Sequence, residues 1–375
     1  MTSSQHQLVS LAAGGTGGHL FPAQALAEVL IARGHRIHLV TDARVHDYGK
    51  AFPAEATHVI PSASLTLSKP MEMPGQVKRL FTGLMMARRL FRSTIPSVVV
   101  GFGGYPSLPP LWAATMLKIP SVVHEQNAVL GRANRMLAPR VNSIATSFPD
   151  VKNVVATVAS KIIQTGNPVR RLALGFAGSA YPAVSITSPL RLVVFGGSQG
   201  ARFFSDAVPP AIALLPQGLR ARLSVVQQCR EEDIERVTKA YANMGVTAKL
   251  SNFFANMPEE IAMSHLVVCR SGASSIAELG VIGRPAVLVP LPHAIDNDQQ
   301  KNAESFEAAG AGYIRPQNGL TPQALAALLE QLLLHPTQLK EAAKSALLHG
   351  KPDAAQKLAD LVELHMQRRT ALLEK

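Results

Sequence analysis

Two glycine-rich strings, Gly14-Gly15-Thr16-Gly17-Gly18-His19 and Gly196-Gly197-Ser198-Gln199-Gly200, each directly follow a short apolar run and lie about 180 residues apart. The runs at residues 8–13 and 192–195 have the length and composition of parallel strands buried on both faces. Each glycine string is followed by residues able to open a helix. A glycine turn between strand and helix exposes backbone N–H groups, and these, with the positive end of the helix, favour an anionic ligand such as a phosphate. Two such units in one chain predict two nucleotide-type halves. With 375 residues at 47% hydrophobic, each half has enough apolar material for its own core at roughly 150 residues per domain.

Strand and helix alternate along the chain. The first series reads as strands at 8–13, 36–41, 97–100 and 121–124, with helices near 22–32 and 76–91. The second has strands at 191–195, 223–227, 265–269 and 286–290, with helices at 232–244 and 274–282. Alternation of this kind predicts parallel sheets covered by helices on both faces. Residues 165–190 are irregular and rich in Gly and Pro, so a linker is expected at 166–190. The resulting domains are 1–165 and 191–350, followed by a last helix at 351–375 expected to pack back on the first domain.

Several classes are disfavoured by composition. A net charge of +12 and 5% aromatics point to an anionic partner but away from nucleic acid, since base stacking needs aromatics and the cations are not blocked into a tail. Cys229 and Cys269 lack metal or disulfide spacing and read as packing residues. Residues 98–117 are apolar but interrupted by three glycines and three prolines, which argues against a membrane span. No secretory signal is apparent, so a cytosolic chain is expected.

The first glycine string fails the dinucleotide fingerprint: counting from Gly15, the third glycine position is Leu20, and no P-loop lysine follows. The second also fits G-x-S-x-G, a hydrolase nucleophile elbow, with Glu278 and His293 as later acid and histidine. A phosphate cradle is the preferred reading. A third small-residue stretch, Ser271 to Glu278, opens a helix after the strand at 265–269 and offers free N–H groups and serine hydroxyls to a diphosphate. Glu278 is placed there to accept from ribose hydroxyls. Farther on, Gln299 and Gln300 follow a strand end, and amides that both donate and accept suit sugar hydroxyls. Asp296 and Asp298 form a DxD pair, but helix dipoles serve a diphosphate equally well, and no metal is expected.

Together these strings resemble the MurG family, the glycosyltransferases of peptidoglycan synthesis that add N-acetylglucosamine to lipid I. The matching stretches are GGTGGHLFP (14–22), GFGGYPS (101–107), HEQN (124–127), GNPVR (166–170), GGSQGA (196–201), CRSGA (269–273) and residues 289–303. The resemblance implies an α/β, GT-B fold: two Rossmann-like domains facing across a cleft. It implies an inverting, metal-independent transfer from UDP-N-acetylglucosamine to the 4-hydroxyl of the muramyl residue on undecaprenyl diphosphate, giving lipid II, with no cofactor required. Carried over by motif, Thr16, Gly17 and Gly18 lie beside the donor with Asn127, Arg170 and Ser198. Phe254 contacts the uracil, although the string around it is less acidic than the family pattern. Ala273, Ser274, Ser275, Ile276, Ala277 and Glu278 hold the diphosphate and ribose, and Gln299 and Gln300 read the sugar. The same resemblance places the chain peripherally on the cytoplasmic face of the inner membrane, with other cell-wall synthesis proteins as partners.

Inversion calls for a base that deprotonates the acceptor hydroxyl. His19 is the first choice because imidazole titrates near neutrality, with His124 and Glu125 as alternatives. A lipid-linked acceptor also calls for an anionic membrane surface. In the helix near 76–91, Val77, Leu80, Phe81, Leu84, Ala87 and Phe91 share a face expected in the core. Met86 and Leu90, near Arg79 and Arg89, are expected to meet the membrane.

Overall fold

The computed structural model describes residues 6–14, 17–45, 52–64, 70–197 and 200–373. The chain divides into two compact units, Met1–Arg170 with Asp353–Lys375, and Arg171–Pro352. In the first unit seven parallel strands lie in the order β3-β2-β1-β4-β5-β6-β7. They are β1 (Leu8–Ala12), β2 (Arg36–Thr41), β3 (Ala56–Val59), β4 (Val98–Gly101), β5 (Ser121–Glu125), β6 (Ser143–Thr146) and β7 (Ile162–Gln164). The connecting helices are α1 (Gly17–Ala32), α2 (Met73–Thr94), α3 (Leu108–Met116) and α4 (Arg132–Leu137).

The second unit begins with the short α5 (Arg171–Leu174). Its six-stranded parallel sheet has the order β10-β9-β8-β11-β12-β13. These are β8 (Leu190–Phe195), β9 (Leu223–Gln228), β10 (Thr247–Ser251), β11 (Leu266–Cys269), β12 (Ala286–Leu288) and β13 (Gly312–Ile314). Around it lie α6 (Arg202–Ala213), α7 (Gln217–Arg220), α8 (Glu231–Asn243), α9 (Met257–Ala262), α10 (Ala273–Ile282), α11 (Asp298–Ala308), α12 (Pro322–Leu333) and α13 (Pro336–His349). The last helix, α14 (Ala354–Leu373), returns to the first unit.

Strands buried on both faces need apolar side chains in succession, and β1 shows how both layers are fed. Val9 and Leu11 meet Leu20, Leu26 and Leu30 of α1 together with Leu358 and Val362 of α14. Ala12, on the opposite face, joins Ala87 and Phe91 of α2 and Leu108 and Leu111 of α3. Ion pairs from Arg33 to Asp360 and Glu363, at 2.7 and 2.8 Å, tie α14 to the end of α1. Residues 171–190, read from sequence as linker, fall within the second unit. Their anchor is Arg284, only 1% exposed, whose guanidinium donates to the carbonyls of Ser179, Ala180, Ala262, Ile282 and Gly283.

Two local expectations differ from the structure. Helix α1 begins at Gly17 and contains Pro22 in its interior, not at its start. Reversing the chain straight after β1 leaves only a few residues for the turn, so the helix opens inside the glycine string and His19 falls in its first turn. Helix α2 buries only Gly83, Ala87 and Phe91. Val77 and Phe81, expected in the core, are 52% and 61% exposed, and Leu90 packs partly inward. The contact stripe is narrow because α2 approaches very closely: a Cβ on Gly83 would collide with the Pro61 carbonyl. The rest of its apolar surface is therefore left outside.

Candidate functional site

Strand order reverses between β1 and β4 in the first unit and between β8 and β11 in the second. Ligands of open parallel sheets bind beyond the carboxyl ends of the strands at such switch points. Gly14, Gly103 with Gly104, Gly196 with Gly197, and the stretch from 270 come just after the ends of those four strands. Thus the sequence places its most permissive backbone at the two positions where topology opens a crevice.

At the first switch point the motifs meet through side chains. His19 Nδ1 lies 3.2 Å from Gln126 Oε1. The Gln126 amide nitrogen donates to His124 Nδ1 at 3.1 Å, and His124 Nε2 lies 2.9 Å from the Gly166 carbonyl. A carbonyl only accepts, so His124 carries its proton on Nε2 and accepts at Nδ1. Gln126 must then present its oxygen to His19, whose Nδ1 donates to it. The imidazole packs against Gly103 and Gly104, whose φ angles are +80° and +67°. A Cβ on Gly104 would stand 3.3 Å from Nε2, so these positions combine a left-handed backbone with close approach.

Burial holds the His19 pKa below its usual value; Arg44 adds to this, while bonds to Gln126 and the Phe102 carbonyl oppose it. Burial pushes His124 down to about 4. Both are therefore neutral near pH 7. Glu125, 2% exposed, is differently engaged. Its carboxylate accepts from the Asn127 and Gly131 N–H groups at 3.0 and 2.8 Å and from Asn134 Nδ2 at 2.8 Å. Burial raises its pKa against those donors. These contacts tie Glu125 to the 125–134 turn. Gly17 is buried, Gly18 exposed and Asn127 half-buried. The Arg170 guanidinium sits 4.9 Å from the Phe21 ring centroid, which joins the GNPVR string to α1.

In the second unit α10 starts after an extended Gly272 with no side-chain cap, so its first N–H groups remain available. Ser274 Oγ, in the first turn, is buried without a partner among the described residues. Ala273, Ser275 and Ala277 are half-buried, whereas Ile276 and Glu278 are 1% and 7% exposed. A cavity of about 300 Å³ lies beyond β12, lined by residues including Leu291, His293, Asn297, Gln300 and Gln317. His293, Asp296 and Asn297 all have φ between 53° and 58°, a strained conformation for residues with side chains. Gln299 and Gln300 diverge. Gln299 accepts from the Leu291 N–H at 3.0 Å and braces the loop, while Gln300 lines the cavity and donates to Glu304. Asp298 Oδ1 caps the Gln299 N–H at 2.7 Å.

Phe254 is 7% exposed, while its neighbour Phe253 is 61% exposed; the ring expected at the uracil is turned inward. Thr16 and Ser198 lie outside the described residues. Sequence reasoning missed three contributors. Gln126 lies within HEQN, but only folding shows that it joins two histidines. Arg270 reaches the carbonyls of Val289 and Pro290 and the Gln317 side chain, with its guanidinium near Phe203 and Phe204. Asn167 is 5% exposed with both amide atoms unpaired among the described residues, a cost that a bound polar group removes. Its position in GNPVR was the only available signal.

Two parallel-sheet units, each with glycine loops at its switch point, give the fold class of GT-B glycosyltransferases. Residues 9–146 match the glycosyltransferase family 28 N-terminal domain and residues 191–358 the family 28 C-terminal domain. The chain is 50% identical over 357 residues to the UDP-N-acetylglucosamine--N-acetylmuramyl-(pentapeptide) pyrophosphoryl-undecaprenol N-acetylglucosamine transferase of Rhizobium etli, covering 95% of each. With the protein of the same name from Allorhizobium ampelinum the identity is 51% over 356 residues, again 95% of each. The crystal structure of Acinetobacter baumannii MurG superposes with a TM-score of 0.78 at 28% identity, over 95% of this chain and 99% of that one. A UDP-GlcNAc 2-epimerase from Neisseria meningitidis shares the fold alone, at 14% identity and a TM-score of 0.64, covering 94% of this chain and 98% of that one. The chain belongs to the MurG family of N-acetylglucosamine transferases, within glycosyltransferase family 28.

Proposed function

We propose that this chain transfers N-acetylglucosamine from UDP-N-acetylglucosamine to the 4-hydroxyl of the muramyl residue of lipid I, with inversion, giving lipid II. The observation carrying this reading is the 50% identity along 95% of the chain to transferases named for that donor and acceptor. His19 Nε2 takes the proton of the attacking hydroxyl. The hydroxyl oxygen then bonds to C1 of the sugar as the C1–O bond to UDP breaks, and the electron pair leaves on the diphosphate. What supports His19 is its bond to Gln126 and its neutrality near pH 7; Glu125, held by the Asn127, Gly131 and Asn134 donors, serves as a positioning residue.

The leaving diphosphate is stabilised by the N-terminus of α10 and the Ser274 hydroxyl, with no metal required. Glu278 accepts from the ribose, Gln300 reads the sugar, and Gln299 fixes the loop that carries it. Thr16, Gly17, Gly18, Asn127, Arg170 and Ser198 complete the substrate contacts. Residue 254 marks the uracil end through its backbone, given its inward ring. Incubation with radiolabelled UDP-N-acetylglucosamine tests the reading: label enters a lipid-linked product only when a lipid I analogue is present. Epimerised sugar nucleotide formed without acceptor overturns it in favour of an epimerase.

No described helix is long and apolar enough to cross a membrane, and we place the chain peripherally on the cytoplasmic face of the inner membrane. The exposed Val77, Phe81 and Met86 beside Lys78, Arg79 and Arg89 support an anionic lipid contact there. Phe81→Ser should weaken flotation with phosphatidylglycerol vesicles about tenfold, from the loss of one inserted aromatic ring. Unchanged flotation removes α2 from the contact.

A further inference from the structure

A second cavity, of about 400 Å³, opens in the first unit among Lys118, Ser121, Arg140, His365, Arg368 and Arg369. Its walls come from the turn before β5, the turn before β6 and the last helix, α14. Parallel strands start at one edge of a sheet and end at the other, so this cavity lies at the opposite edge from the glycine loops, about 16 Å away for a five-residue strand. It is separate from the substrate site.

The chemistry of the walls is one-sided. Among the described residues no carboxylate lines the cavity, and none of the four cationic side chains forms an ion pair. Arg140 lies over the Trp112 ring at 5.5 Å, and Arg369 donates only to the Pro96 carbonyl. Four like charges around one space repel one another unless an anion sits among them. Ser121, 1% exposed, supplies a further sign of a missing partner: its Oγ is buried with no hydrogen bond among the described residues. The Ser121 N–H is already satisfied by Asn142 Oδ1 at 2.9 Å, so the hydroxyl alone is left over.

We propose that this cavity is a binding site for a phosphate group, held by Arg140, Arg368, Arg369 and Lys118 with the Ser121 hydroxyl, and distinct from the sugar-nucleotide site. Guanidinium forks and a hydroxyl donor match the oxygens of a phosphate. The same group is presented by an anionic phospholipid headgroup and by free phosphate or pyrophosphate. Trp112 and Met116, exposed on α3 next to the cavity, would carry the acyl region of a lipid.

Trp112 is the single tryptophan of the chain and lies against the lining residue Arg140, so its fluorescence reports the cavity through that contact. Phosphate, pyrophosphate and short-chain phosphatidylglycerol are titrated separately at constant ionic strength, with phosphatidylcholine as a zwitterionic control. A saturable change in emission is expected, weakened at least about tenfold in Lys118→Gln/Arg368→Gln, the loss expected for a charge-assisted hydrogen bond. That variant leaves the Arg140 contact with Trp112 intact and should keep wild-type affinity for UDP-N-acetylglucosamine. Saturation by the inorganic anions identifies a soluble ligand, and saturation by phosphatidylglycerol alone identifies a headgroup. No saturable response to any phosphate, an equal response to phosphatidylcholine, or equal affinity in the variant overturns the proposal.

Discussion

The switch point of the first unit and that of the second share a strand order and differ in what fills the loops. In the first, Gly103 and Gly104 let the chain close against a ring, so that His19, Gln126 and His124 form a desolvated, hydrogen-bonded line ending on a backbone carbonyl. In the second, loops strained at His293, Asp296 and Asn297 stand around a cavity, beside a helix whose first N–H groups are uncapped. On the function proposed above, one scaffold then supports proton handling at one site and ligand grip at the other. The difference lies in whether side chains or backbone groups occupy the crevice.

If that division holds, His19→Ala should lower kcat by about 10²- to 10⁴-fold, the range for removing a general base. Its Kd for UDP-N-acetylglucosamine, measured by calorimetry, should stay within about twofold. A matching loss of donor affinity would erase the distinction between the two sites.

Acid should act on both units. Burial holds His124 and His349 at about 4 in the folded protein, against 6.5 for an ordinary histidine. Between those values the unfolded chain binds more protons, so stability is present above pH 6.5 and is lost as pH falls toward 4. His124 alone accounts for up to about 3 kcal/mol of this. Denaturant melts of His124→Phe across that window should show a shallower pH dependence, with the His349 share remaining. An unchanged slope would mean that the first-unit line is not desolvated.

Glu278→Ala should give the reverse of the His19 split, raising KM for the donor about 10- to 100-fold through lost hydrogen bonds to a charged group with a smaller change in kcat. Steady-state kinetics against donor concentration would show it. The smallest effect is expected from Gln126→Leu, about tenfold in kcat, because the His19 ring remains but loses the acceptor that orients it. Since the Gln126 bond raises the His19 pKa, its removal should move the acidic limb of the pH–rate profile to lower pH. A limb moving the other way would contradict the proton assignment.

Much of this architecture was legible in the sequence because buried parallel strands are written as continuous apolar runs. The strand at 36–41 is the same in sequence and structure, and the glycine strings mark both switch points. Short or edge strands such as β3, β7 and β13 escaped, being three or four residues long with mixed polarity. The face of α2 was misread because periodicity reports an apolar stripe without saying how closely a neighbour approaches. Gln126 and Arg270 carried no signal of their own, since each acts by joining segments distant in sequence.

The order of amino acids by itself determined the two α/β halves, their helix-opening loops and the residue types available for anion and sugar contacts, because these depend on local periodicity and backbone freedom. Tertiary structure alone decided that His19, Gln126 and His124 meet, that the Glu125 carboxylate is bonded within a turn, and that cations from residues 118 to 369 surround one cavity. Those outcomes depend on distance between chain segments far apart in sequence, where hydrogen-bond direction and desolvation are set by packing.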